Sequence, residues 1–106
     1  KSTNAGGKIS SKAGGNISEI AGGDISNTAA GSMTLTATGD FLAKTSAKGA
    51  VDAASELILK CGGASIILKS GGEITIHGTA ITIDGSKVGM KGSGGVKIEG
   101  SKVDVN

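Results

Sequence analysis

The sequence has no proline, tryptophan or tyrosine, and only one phenylalanine, one cysteine and one histidine. Each scarcity excludes something. Its 11 basic and 9 acidic residues are scattered, with no basic block and no aromatic platform on which bases could stack, so nucleic-acid binding is not expected. A single cysteine, Cys61, rules out an intrachain disulfide, although symmetry could bring copies of it together in an oligomer. No apolar run is long enough to span a bilayer, and no charged start with an apolar centre marks a signal peptide. The missing proline leaves every backbone N–H free to donate, as a central β-strand requires.

What is present is a repeat. The 106 residues fit one domain, 1–106, and 37% apolar content argues against disorder. With Phe41 the only aromatic, the apolar residues are Ile, Val, Leu and Ala, which suit narrow repeated layers better than a compact globule. They recur as a two-residue step about every eight residues: Ile9/Ser11, Ile17/Glu19, Ile25/Asn27, Met33/Leu35, Phe41/Ala43, Gly49/Val51, Leu57/Leu59, Ile66/Leu68, Ile74/Ile76, Ile81/Ile83, Val88/Met90, Val96/Ile98 and Val103/Val105. The interval is eight up to Leu57, then nine, eight, seven, seven, eight and seven. Most of the twenty glycines fall between these steps and read as corners rather than as a flexible linker.

Residues 1–54 are Ala/Gly-rich octads, and from Ala5 to Lys44 the repeat is nearly literal. Ala5, Ala13, Ala21, Ala29 and Ala37 fill one column, and Gly7, Gly15, Gly23, Gly31 and Gly39 another. Such spacing marks stacked structural units. Residues 55–106 are richer in Ile and Val, and alternation in Ile74-Thr75-Ile76-His77 and Ile81-Thr82-Ile83-Asp84 is that of half-buried strands. Gly78, Gly85, Gly92 and Gly100 close them, where a positive φ or a close backbone approach is easiest for glycine.

An octad has a contour of at most ~26 Å at ~3.3 Å per residue, so a three-sided coil with interior side chains needs about three of them. No 24-residue super-period with distinct sides is visible, and nearly equivalent octads fit three intertwined identical chains. The expected fold is therefore all-β, an intertwined homotrimeric triple-stranded β-helix whose layers pair almost wholly between chains, with no stable folded monomer. Its best-specified core comprises Leu57, Leu59, Ile66, Leu68, Ile74, Ile76, Ile81, Ile83, Val88, Met90, Val96, Ile98, Val103 and Val105. In the early octads Glu19 occupies a second apolar place; either the phase rotates there so that Ile20 points inward, or the axis is hydrated. The abrupt start at Lys1, one step before a repeat, suggests a fragment of a longer protein.

Candidate chemistry is sparse. His77 alternates outward from Ile74 and Ile76, so its copies would lie far apart and no metal site is expected. Cys61 follows Leu57 and Leu59 in inward phase and reads as a buried thiol rather than a redox centre. Gly92-Ser93-Gly94-Gly95 lacks the Lys-Ser/Thr and helix of a phosphate site. Gly22-Gly23-Asp24 has the wrong period for a calcium-binding nonapeptide. No catalytic set of carboxylates, Ser-His-Asp or Cys-His recurs, so neither catalysis nor a cofactor is expected. At the carboxyl end, three strands finishing at Val103-Asp104-Val105-Asn106 would leave unpaired edges and an open apolar column that a flat cap would cover. The alternative is a frayed end protected by Lys102, Asp104 and solvent.

Leu59-Lys60-Cys61-Gly62-Gly63-Ala64-Ser65-Ile66-Ile67-Leu68, continuing through Gly71-Gly72-Glu73-Ile74-Thr75-Ile76-His77-Gly78, closely resembles the carboxy-terminal needle of VgrG, the valine-glycine repeat spike of bacterial type VI secretion. The octads similarly resemble the needle of the phage T4-type cell-puncturing spike. The resemblance implies a non-enzymatic homotrimeric needle. It would be mounted on a tube of Hcp rings through an absent base domain, carry a PAAR-repeat cap or an effector at its tip, and make transient contact with a target membrane. It also implies assembly in the bacterial cytoplasm followed by secretion. A trimeric receptor-binding or adhesin-like fibre stalk is the alternative reading, and a polysaccharide-processing β-helix enzyme would need longer coils and an acidic groove.

Overall fold

The computed structural model describes residues 2–106. Among them there is no helix, and the only sheet has three strands: β1 (Glu56–Cys61), β2 (Ala64–Lys69) and β3 (Ile74–His77). The chain divides into two units, Lys1–Ala43 and Lys44–Asn106, with the sheet in the second. The all-β class expected from the period is thus present.

The repeat is also written into the backbone. In the first unit the chain bends at residues 6–7, 14–15, 22–23, 30–31 and 38–39. The second continues with bends at 46–47 and 54–55, so each lies eight residues from the last. From Ile9 to Leu57 the first place of each step follows two residues after the bend, as Ile9 follows Gly7 and Leu57 follows Ser55. Past the sheet, bends at 79–80, 86–87, 93–94 and 101 keep the shorter spacing of the later repeat. Gly78, Gly85, Gly92 and Gly100 each stand immediately before one.

None of these four glycines has a positive φ. Close approach favours glycine at two of them: a Cβ on Gly100 would lie 3.3 Å from the Lys102 carbonyl oxygen, whereas one on Gly85 would meet that of Lys87 at an ordinary 3.4 Å and one on Gly78 nothing nearer than 3.5 Å. At Gly92 the Gly95 carbonyl oxygen occupies the space a Cβ would need. That corner is closed by a hydrogen bond from Gly95 N–H to Gly92 O (3.3 Å).

The sheet is a simple antiparallel meander in the order β1-β2-β3. Cys61 pairs directly with Ala64, leaving Gly62-Gly63 as a two-residue loop. Gly62 has φ +55° and Gly63 is not left-handed, the pattern of a type II′ hairpin, whose twist matches that of the strands it joins. The second connection, Ser70-Gly71-Gly72, is a three-residue loop in which Gly72 N–H donates to Lys69 O (3.0 Å) and Gly72 itself has φ +97°. That is a turn followed by a left-handed residue, the usual form for this loop length. Lys69 N–H to Glu73 O and Ser70 N–H to Ser55 O, both 3.0 Å, extend the two ladders by one rung.

Over Glu56–His77, then, the ladder expected between chains is made within one chain. Local pairing across short glycine loops forms at a low cost in chain entropy. A ladder to neighbours needs those neighbours. The run Ile81–Asp84, read as a strand, is extended but has no partner among the described residues, and residues 2–55 contain no strand.

Candidate interaction surface

Residues paired across a sheet share a face, and alternate residues along a strand change face. The register places Leu57 against Leu68 and Leu59 against Ile66, then Ile66 against Ile76 and Leu68 against Ile74. Six of the residues expected in the trimer core are thereby brought onto one face of the meander. Cys61 and Ala64 complete its turn end, so the face is wholly apolar. The opposite face carries Glu56, Ile58 and Lys60 on β1, Ser65, Ile67 and Lys69 on β2, and Thr75 and His77 on β3. Every charged side chain of the sheet is on that side. Glu56 stands directly opposite Lys69, and Lys69 Nζ also approaches Glu73 Oε2 at 4.0 Å.

No described residue covers the apolar face. Leu57 is half-buried, Leu68 on the central strand keeps 36% of its surface exposed, and no described residue anywhere is buried. A hollow of about 480 Å³ opens beside Leu59, Cys61, Ala64, Ile66, Ile76 and Ile81. A smaller one of about 150 Å³ lies at the other end beside Val51, Leu57 and Leu68. Cys61, expected to be a buried thiol, is exposed, because it sits on this uncovered face. His77 lies on the opposite face from Ile74 and Ile76, as the alternation required.

The other expected core residues are not gathered into a shared contact. Ile81, Ile83, Val88, Met90, Val96, Ile98, Val103 and Val105 lie along extended segments, all exposed. Within a step the first member is the more sheltered, as in Val103 at 51% against Val105 at 92%. The first member folds over its own corner: a Cβ on Gly100 would lie 3.8 Å from Val103 Cγ2, and one on Gly85 3.5 Å from Val88 Cγ2. Between members the alternation is visible in ion pairs. Lys97 Nζ reaches Glu99 Oε1 at 2.9 Å and Lys102 Nζ reaches Asp104 Oδ2 at 3.6 Å, two residues apart along extended chain. Those pairs occupy the side away from Val96/Ile98 and Val103/Val105. At the tip, Val105 and Asn106 are exposed along with Val103 and Asp104. In the early octads Ile20 is 93% exposed, more so than Ile17 at 61%, so no rotation of phase shelters Ile20 within the chain.

Sequence reasoning missed the intrachain hairpin. Its signal was Gly62-Gly63 between two alternating runs, a spacing that favours a two-residue turn. It also missed Ile58 and Ile67, which pair on the charged face. Among the described residues no group of three His, Cys, Asp or Glu side chains is gathered that could hold a metal ion, and no helix is long and apolar enough to cross a membrane.

These features define an all-β chain whose repeated corners and one apolar sheet face are left open to solvent. No family model, no curated protein and no solved structure matches it.

Proposed function

We propose that this chain is one strand of a homotrimeric needle, a triple-stranded β-helix that serves as the cell-envelope-puncturing spike of a type VI secretion system. One observation carries the proposal most of the way to a multimer: the chain buries none of its described residues. Its accessible surface is 11091 Å². A folded monomer of this mass exposes about 5,300 Å² and an unfolded one about 15,000 Å². The chain alone thus leaves exposed about three-quarters of what unfolding would expose. Further copies are the economical cover, because every octad offers the same apolar step to whatever lies beside it.

In this reading the step residues from Leu57 to Val105 line a threefold axis, and the ion-paired sides face out. The six aliphatic residues on the meander face each gain roughly 1 kcal/mol on losing their remaining exposure, so that face alone contributes on the order of 6 kcal/mol per chain. The extended octads lack ladder partners within the chain, and neighbouring chains supply them. Function is mechanical. Axial load is shared by many interchain hydrogen bonds and one continuous apolar column, so local opening is costly. The tip residues Val103 to Asn106 take a PAAR-repeat cap or an effector, and the opposite end continues into domains that sit on the Hcp tube. The needle is assembled in the cytoplasm and expelled on contraction. It needs no cofactor and makes only transient contact with the target membrane.

Sedimentation of the purified chain tests the architecture. A species near 31 kDa, three times the 10.2 kDa chain, is expected, and a stable species near 10 kDa would refute it. A pull-down with a PAAR-repeat protein tests the function. Binding to a glycan array without PAAR binding would favour an adhesin-like stalk instead.

A further inference from the structure

We infer that the apolar face of the meander is the surface on which copies of this chain find their register, its occupant being the same face of a second and third copy. The inference rests on the trimer reading and adds to it the element that aligns the chains.

The early octads are poorly suited to that task. Sliding one copy by eight residues between Ala5 and Lys44 returns alanine to the alanine column, glycine to the glycine column and an apolar residue to the Ile9 column, and exchanges only the variable places such as Lys8 for Asn16 and Ser11 for Glu19. A repeat that matches itself after displacement specifies register weakly. From Leu57 onward the interval runs nine, eight, seven, seven, eight and seven, so a copy displaced by eight keeps the apolar step only at Ile66/Leu68 and Val88/Met90, and elsewhere sets it against Ser65, Thr82 and Asp84, Gly89 and Lys91, or Asp104 and Asn106.

Within that irregular half, only Glu56–His77 forms a ladder in the single chain. Its short loops let it form before any second chain arrives, on the microsecond scale typical of hairpins. It then presents a finished surface rather than a strand still to be ordered. The chemistry of that surface selects the occupant. Glu56, Lys60, Lys69 and His77 all lie on the other side, so the apolar face has no charge with which to pair a polar or charged partner. A second copy brings an equally flat aliphatic face, and the exposed surface of the chain shows that covering is needed on the scale only whole chains supply.

The test mixes two lengths of the chain. Deleting residues 13–36 removes three octads and leaves the columns continuous, since Ala37 follows Lys12 as Ala13 did. In a Cys61→Ser background, both lengths carry either Ser11→Cys, ahead of the deletion, or Ala43→Cys, after it. The two lengths are unfolded together, refolded and oxidised, and long–short disulfides are read by mass on a non-reducing gel. If the meander sets register, Ala43→Cys chains form long–short disulfides freely. Ser11→Cys chains form at least tenfold fewer, because three layers displace them by ~14 Å, beyond disulfide reach. The reverse pattern, or no long–short disulfide from either pair, overturns the inference, since the octads would then be choosing the partner.

A second arm adds Ile66→Thr and Ile76→Thr to both lengths, removing apolar area while keeping β-branched residues. Long–short disulfides at Ser11→Cys should then rise several-fold as register is lost. An unchanged preference would move the role to the corners beyond Gly78, and a failure to associate would make the face an assembly contact without a register role. Sedimentation of the unmodified chain near 10 kDa would instead refute the trimer itself.

Discussion

Gly62→Ala isolates backbone conformation from packing. At φ +55° an L-residue places its Cβ against its own backbone, which costs about 1–2 kcal/mol. Nothing lies within 4 Å of where that Cβ would be, so no side-chain clash adds to the cost. A trimer carries the change three times, for a total of about 3–6 kcal/mol, while the per-chain effect on the melting temperature stays that of a single domain. A fall of roughly 5–10 °C is expected in thermal unfolding followed by circular dichroism. Gly71→Ala is the control: it lies one loop further on, also has open space, and is not left-handed, so the reduced freedom of the unfolded chain should leave it neutral or slightly more stable. If Gly62→Ala and Gly71→Ala melt within a degree of each other, the type II′ hairpin is wrong, and with it the register that places the six core residues on one face.

Three other outcomes are expected. Ile83→Asp brings three carboxylates toward one axis in the proposed trimer and should abolish the species near 31 kDa in sedimentation; a trimer that survives would show that Ile83 does not face inward. Cys61 shares the face of Leu57 and Leu59 and is exposed in the single chain, so its labelling by a thiol reagent should slow at least tenfold between unassembled and assembled protein. Equal rates would remove that face from the interface. Lys97→Ala breaks a 2.9 Å ion pair whose side chains are 80% and 74% exposed, and such pairs contribute ~0–1 kcal/mol. A melting temperature unchanged within about 2 °C is expected, and a large fall would mean that Lys97 is covered in the assembly.

The corners were legible because they depend on neighbours in sequence. Gly7, Gly15 and Gly23 mark bends that recur at the spacing of the residues themselves. That Leu57, Leu59, Ile66, Leu68, Ile74 and Ile76 share one side was legible for a related reason: strand alternation assigns each residue a side whichever chain supplies the next strand. Partner identity is a different matter, because an apolar alternating run pairs equally well with its own chain or with a copy. The choice over Glu56–His77 is made by two short glycine loops, which the repeat period does not register. The burial of Cys61 was illegible for the same reason, since it depends on what covers the face and not on the phase of the strand.

The corner geometry also accounts for the drift of the period between seven and eight beyond the sheet. At Gly85 and Gly100 the backbone nearest the bend is a carbonyl only two residues ahead, and at Gly92 one three ahead. The first member of the following step, Val88, Val96 or Val103, packs over the glycine of its corner. The straight stretch from first member to next glycine is constant at four residues, as in Ile81 to Gly85, Val88 to Gly92 and Val96 to Gly100. The period changes inside the corner, which takes three residues from Gly85 to Val88 and from Gly100 to Val103 but four from Gly92 to Val96, where the Gly95 N–H to Gly92 O bond closes the longer turn. The second member is the more exposed in these later steps, as Ile98 at 65% is against Val96 at 50%. Beyond the sheet, then, the first residue of each step packs against its own corner, and in the proposed trimer the second is the one left for a neighbouring chain to cover.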